Sequence, residues 1–301
     1  MGAADNVKIS SLKFIILGLV FACLWASAST ATKIGLESAQ PFVIALVRFL
    51  IAGSIMLLLS HVVMKKRIPK GKEWKTVMIY GFLNVTAYLG FYVVAMQNVS
   101  AGFGSLAVAT NPVFMSLIAS MFLGYQLRVS SVISMIICFV GVGIVAYPLM
   151  QTSLTTMEGI LFMTASMISY SVGNLYVSRQ KWNDLHILTI NGWQTLLGGA
   201  LLLPVLIYTY EGSQNVYDSS FWWSVTWLAI PVSIVAVLVW LYLLRENPVK
   251  ASYWLFLCPI FGFFIARLFT NEPISLYTVV GVILVILGLY LLNKMKEPKR
   301  T

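Results

Sequence analysis

In a chain of 301 residues, 59% hydrophobic and 10% charged with a mean hydropathy of +0.87, polar surface is too scarce to cover a soluble globule. The formal net charge of +10 would suit a nucleic-acid partner, but the bases stand at the ends of apolar runs rather than in one patch, which argues against that role. Cys23, Cys138 and Cys258 are odd in number, lie inside apolar runs and lack ligand spacing, so they are expected in the core, with no metal or cofactor.

Apolar runs of spanning length follow one another at 12–31, 41–63, 76–96, 102–123, 129–149, 158–177, 187–209, 221–244, 249–269 and 274–293, which predicts an all-α membrane protein of ten transmembrane helices. Lys8 and Lys13 precede the first run. Lys65, Lys66, Arg67, Lys70, Lys72 and Lys75 follow the second, Arg128 the fourth, Arg179 and Lys181 the sixth, Arg245 and Lys250 the eighth, and Lys294, Lys296, Lys299 and Arg300 the tenth. By the positive-inside rule this pattern predicts both termini in the cytoplasm. The first run also has signal-peptide features, with lysines before it and small residues in "WASASTA". Its removal would leave nine helices and spoil the duplication that follows.

The stretch "AVATNPVFMSLIASMF" aligns without a gap on "WLFLCPIFGFFIARLF" 147 positions later, so Pro112 falls opposite Pro259. Trp25 pairs with Tyr170, Arg48 with Gln194 and Gly141 with Gly288 at nearly the same offset. The sequence thus reads as two five-helix halves, 1–150 and 151–301. An odd number of helices per half makes the second copy enter the membrane from the opposite side. Inverted repeats of this kind are common in secondary transporters, where exchanging the two half-conformations opens a midplane site to either face.

The segments "WASASTATK", "LVRFLIAG" and "YVVAMQNVSAGFGSLAVATNPVFMSLIASMFLG", with "LYLLRENPVKASYWLFLCPIFGFFIARLFTNEPIS" and the ending "GVILVILGLYLL", resemble the EamA-type drug/metabolite transporter superfamily over nearly the whole chain. Gln126, where a glutamate is usual after the fourth helix, departs from that pattern, as does Cys258 before Pro259. The resemblance implies a transporter in the cytoplasmic (inner) membrane, and export is the direction it implies.

Proline inside a helix removes a donor and clashes with the preceding turn, so Pro112 and Pro259 are expected to free carbonyls near Val108 and Leu255. A packed kink and a hinge shaping a central cavity are the two readings, and Asn111 adds a polar group at that level. Arg48 lies about 10 Å inside its run, where a guanidinium marks a functional site by default. It either faces a hydrated cavity and attracts a substrate carboxylate or phosphate, or is held by carbonyls or Glu37. Arg267 is either a second such cation or a side chain reaching back to the interface.

Trp25, Tyr88, Tyr170, Trp193, Trp240 and Tyr253, with Asn84, Asn174 and Gln194, either pack or line a pocket for a zwitterionic or aromatic solute. Trp222, Trp223 and Trp227 read as an interfacial belt. Gly141 with Gly143, Gly198 with Gly199, and Gly281 with Gly288 read as close helix contacts. No Ser/His, paired-Asp or metal-like cluster lies within a run, so catalysis is not expected. Nor is a buried proton carrier, Glu158 at the start of helix six being the best candidate for one. The expected partners are a small-molecule substrate and the lipid bilayer, with a monomer expected and a dimer the alternative. The leading substrate reading is an amino acid or related metabolite; a multidrug or nucleotide-linked solute carrier is the rival.

Overall fold

The computed structural model describes residues 11–123 and 129–294, and among them all regular structure is helical. Lys8, Gln126, Arg128 and the basic residues from Lys296 onward lie outside the described residues. Helix α1 is Ser11–Leu36, and α2 is Pro41–Leu57, running on through a widened π turn at Leu58–Val63. Helices α3 (Lys72–Gly81) and α4 (Tyr88–Gln97) are joined by a π turn at Phe82–Ala87. Then come α5 (Ala101–Ala109), α6 (Asn111–Leu123), α7 (Val129–Gln151), α8 (Met157–Ser178) and α9 (Ile187–Thr209). Helices α10 (Ser219–Trp227) and α11 (Val237–Glu246) flank a π stretch at Leu228–Ala236. A 3-10 turn at Trp254–Leu257 separates α12 (Pro248–Tyr253) from α13 (Cys258–Phe269), and α14 is Leu276–Lys294.

Seven of these helical stretches are long and apolar enough to cross a membrane, and α5 with α6 makes an eighth if the bent pair is one span. The apolar stretches Trp254–Phe269 and Leu276–Leu292 are shorter. Local chemistry fixes several starts. Ser100 accepts the Phe103 amide at 3.1 Å, Thr156 accepts that of Gly159 at 3.1 Å, and Asp218 accepts that of Phe221 at 2.9 Å, each satisfying an amide of the first turn that has no partner in its own helix.

The two prolines act differently from the expectation of mid-helix breaks with bare carbonyls. The chain bends by 42° between α5 and α6, and Pro112 stands at the start of the new helix, where its missing N–H costs nothing. Pro259 likewise opens α13. The carbonyls near the breaks are taken: Thr110 donates its N–H to Ala107 and Val108, and Cys258 donates to Leu255. The Cys258 carbonyl accepts the Ser105 hydroxyl at 3.0 Å, which ties the two broken segments together.

Helix α2 packs along α9, α4 along α8, and α7 along α14. Gly141 and Gly281 allow the last pair to touch backbone to backbone, since a Cβ on Gly141 would lie 2.7 Å from the Gly281 carbonyl oxygen. Gly198 meets Gly81, and Gly199 meets Phe49, but Gly143 faces open space and makes no helix contact. Cys138 and Cys258 are buried as expected. Cys23 is exposed on the outer face of α1, because an apolar side chain there has lipid rather than core to pack against. Trp222 and Trp223 are exposed at the start of α10, whereas Trp227 turns inward and donates to Ser27 at 2.8 Å.

Different bonds tie the two ends of the bundle. At one end Lys33 donates to the carbonyls of Met96, Gln97 and Val99, at 2.9 to 3.3 Å, and Glu272 accepts the amides of Ala101 at 2.5 Å and Gly102 at 3.0 Å. There too the Gln40 side chain accepts from Asn215 at 2.9 Å and from the Glu211 amide at 2.8 Å. At the other end Arg67 pairs with Glu73 at 2.7 Å and Asp184 at 2.9 Å, joining the loop after α2 to the loop after α8.

Candidate functional site

The central spans converge on Arg48. It is 7% exposed, and among the described residues no carboxylate lies within 4.0 Å of it. Instead its Nε and Nη2 both donate to the Ser233 hydroxyl, at 3.1 and 3.0 Å, and that hydroxyl donates to the Leu228 carbonyl at 2.8 Å. Neither Glu37 nor a bare carbonyl supplies this contact. Ser233 and Leu228 both lie in the wide π stretch that contains Pro231, and the hydroxyl reaches back across one turn to the Leu228 carbonyl. The Phe49 ring lies beside the guanidinium, 6.0 Å from its carbon to the ring centre.

Tyr88 and Tyr92, one turn apart on α4, are buried near Arg48. Tyr92 shares a hydrogen bond of 2.9 Å with Ser29 of α1. The Tyr88 ring lies 6.2 Å from that of Tyr92 and 4.7 Å from that of Tyr170, so three tyrosines from α4 and α8 form one wall. Asn174 donates back to the Tyr170 carbonyl at 3.0 Å. On the α9 side Asn84 donates to Gln194 at 3.3 Å, and Gln194, close to Tyr80, donates to Asn191 at 2.9 Å. The Asn84 Oδ1 is buried without a partner, an acceptor left open in an apolar setting. Two of the π turns therefore supply polar groups here, Asn84 from one and Ser233 from the other.

The structure groups Arg48 with Tyr88 and Tyr170, pairs Asn84 with Gln194, and turns Asn174 back onto its own helix at Tyr170. It places other candidates elsewhere. Trp25 and Trp240 pack around Phe21, with ring centres 5.7 and 4.7 Å away. Trp193 belongs to the Arg67 end, where its indole donates to His61 Nε2 at 3.1 Å and meets the edge of Trp74. Tyr253 is exposed beside Phe256, and Arg267 is exposed and donates to the Asn271 carbonyl at 3.4 Å. Asn111 is buried at the α5–α6 bend with its Oδ1 unpartnered.

Ser29, Tyr80, Tyr92 and Ser233 join the group although sequence reasoning did not single them out. The four-residue spacing of Tyr88 and Tyr92 was a usable signal for one of them. Among the described residues no three His, Cys, Asp or Glu side chains are placed to hold a metal. A cavity of about 320 Å³ lies toward the Gln40 end, lined among others by Leu36, Gln40, Phe42, Val94, Gln97 and Thr209, none of them charged.

The EamA-like transporter family model matches twice, over residues 12–147 and 157–294. The chain belongs to the EamA-like transporter family. It is an integral membrane protein built from two copies of the family unit. It is 27% identical to an uncharacterized transporter of Archaeoglobus fulgidus over 94% of this chain and 99% of the relative. Against the uncharacterized transporter YoaV of Bacillus subtilis the figure is 23% over 92% and 96%. Protein PecM of Dickeya dadantii is 26% identical over 90% of this chain and 89% of its own. One solved crystal structure superposes with a TM-score of 0.64 at 18% identity, covering 96% of this chain and all of the other, which shows a shared fold.

Proposed function

We propose that this EamA-like protein is a secondary transporter of the cytoplasmic (inner) membrane that moves a small organic metabolite bearing a carboxylate, an amino acid or a close relative, by alternating access. The carrying observation is the charge imbalance at Arg48. A guanidinium always bears its proton, and one buried at this depth beside a hydroxyl and tyrosines, with no carboxylate partner among the described residues, leaves a positive charge for a ligand anion to balance. The tyrosine wall offers flat faces to the body of the solute, and the open Asn84 oxygen offers an acceptor to an ammonium or amide.

Two tandem family units support the inverted-repeat reading, with halves 1–150 and 151–301 of five spans each. The bent pair and the two shorter apolar stretches, added to the seven long spans, bring the count to ten. In this reading both termini are cytoplasmic, the Arg67 end faces the cytoplasm, and the direction is outward. Glu158 is exposed, and both oxygens of buried Glu272 are held by backbone amides. Flux is therefore facilitative or exchange-driven, without a side chain carrying protons at the centre.

Purified protein in lipid vesicles, offered a panel of labelled amino acids, other carboxylates, uncharged solutes and nucleotide-linked sugars, tests the reading. Carboxylates should move, Arg48→Gln should abolish the flux, and Arg48→Lys should restore it in part, because an ammonium keeps the charge but loses the planar fork. Movement of uncharged solutes alone, at equal rate in Arg48→Gln, would overturn it.

A further inference from the structure

The stretch from Met64 to Lys75, "MKKRIPKGKEWK", holds six bases and one acid, and its fold uses up one base and the acid. Arg67 is fixed by the Glu73 and Asp184 carboxylates and donates to the Asn183 carbonyl at 2.7 Å. Glu73 also accepts the Lys70 amide at 2.8 Å. The chain is pinned further where Lys66 donates its amide to Ser60 at 2.8 Å and its carbonyl accepts the His61 Nδ1–H at 2.9 Å. Lys65 and Gly71 are both held at φ 50°, and for a lysine that is a strained conformation which the surrounding bonds impose.

The loop is therefore a built one. What it presents are Lys65, Lys66, Lys70, Lys72 and Lys75, all exposed, and among the described residues none of the five makes an ion pair within 4.0 Å. Directly before them Val62, Val63 and Met64 expose apolar side chains at the end of the α2 span, and Ile68 does so among them. Apolar groups at the end of an apolar span followed by exposed ammonium groups suit the boundary between the acyl chains and the headgroups of a leaflet.

We propose that the 64–75 loop is a binding surface for the headgroups of anionic phospholipids. It rests on the membrane reading alone and does not depend on the substrate. A polybasic segment at a membrane surface gains roughly a fivefold preference per lysine for an anionic lipid. Five lysines, whose one neighbouring acid in the stretch is already paired with Arg67, concentrate that preference on the loop and the first turn of α3. Lipid held there also holds Arg67 in register with Asp184, so the end of the bundle is stiffened by the leaflet it faces.

The full chain in nanodiscs tests this by thermal unfolding. Phosphatidylglycerol mixed into phosphatidylcholine should raise the wild-type midpoint. With all five lysines changed to glutamine, the midpoint in pure phosphatidylcholine should be unchanged and the rise should disappear. The Lys65→Gln, Lys66→Gln, Lys70→Gln triple variant should keep a reduced rise, which guards against a misfolded quintuple variant. Arg179→Gln with Lys181→Gln, at the same end outside the loop, should leave the rise intact. No rise in the wild type, or an equal rise in the quintuple variant, would overturn the proposal. So would millimolar inorganic phosphate reproducing the full rise in pure phosphatidylcholine, because the ligand would then be a soluble ion.

Discussion

The two ends of the bundle are closed by different physics. At the Glu272 end, charged side chains grip backbone: Lys33 takes the carbonyls that end α4, and Glu272 takes the amides that begin α5. Each sits where the helix dipole favours its charge, and Glu272 is 7% exposed. At the Arg67 end, side chain mainly grips side chain: Arg67 bridges to Glu73 and to Asp184, whose carboxylate is largely in water, besides reaching the Asn183 carbonyl, and Trp193 bridges to His61. Breaking the first kind leaves buried amides without partners. Breaking the second hands exposed charges to solvent. The chain thus has one end tied by buried capping and one tied by screened ion pairing, and salt should act mainly on the second.

Substituting Glu272 by alanine should give the larger effect. It strands the Ala101 and Gly102 amides in a buried setting, at a cost of about 1.5–3 kcal/mol, read as a lowered unfolding midpoint that added salt leaves unchanged. Glu272→Gln, which keeps one acceptor, should recover part of the loss. A midpoint unaltered in Glu272→Ala would erase the contrast between the ends.

Arg67→Gln should give the smaller effect. The side chains of Glu73 and Asp184 lose their partner, yet both remain within reach of water. The measurable consequence is faster labelling of a cysteine placed at Asn183, and the difference from the parent should shrink as ionic strength rises. A salt-independent difference would show that the tie is packed rather than ionic. The carboxylates on either side lower the readiness of Arg67 to lose its proton still further, so no loss of this tie is expected from the arginine at alkaline pH.

Arg48 was legible because a base in an apolar run is conspicuous, and its depth followed from counting residues. Its partner was not legible: Ser233 is 185 positions away, and a serine in a hydrophobic span carries no mark of its contacts. Pro112 and Pro259 were visible as breakers, but whether a proline sits mid-helix or at a fresh start depends on whether the preceding turn closes early, as it does at Thr110. Trp193 read as deep because it falls inside an apolar run. It lies near that run's beginning, however, and His61 draws it to the end. Nothing near Glu272 in sequence announces the helix it caps 171 positions earlier. Chain-local chemistry, such as caps at Ser100 and Thr156, reads off directly, whereas long-range polar pairing requires the packing to be known.

The contrast between the ends matters for function only if the centre between them holds a charge that the protein does not itself neutralise. Thermal unfolding of the purified protein against a series of carboxylates and their uncharged amides tests that most directly. Wild type should be stabilised by at least one carboxylate and not by its amide, since only a ligand that binds the folded state raises the midpoint, and Arg48→Gln should lose that response while remaining folded. Equal stabilisation of both proteins by carboxylate and amide alike would contradict an anion site at Arg48.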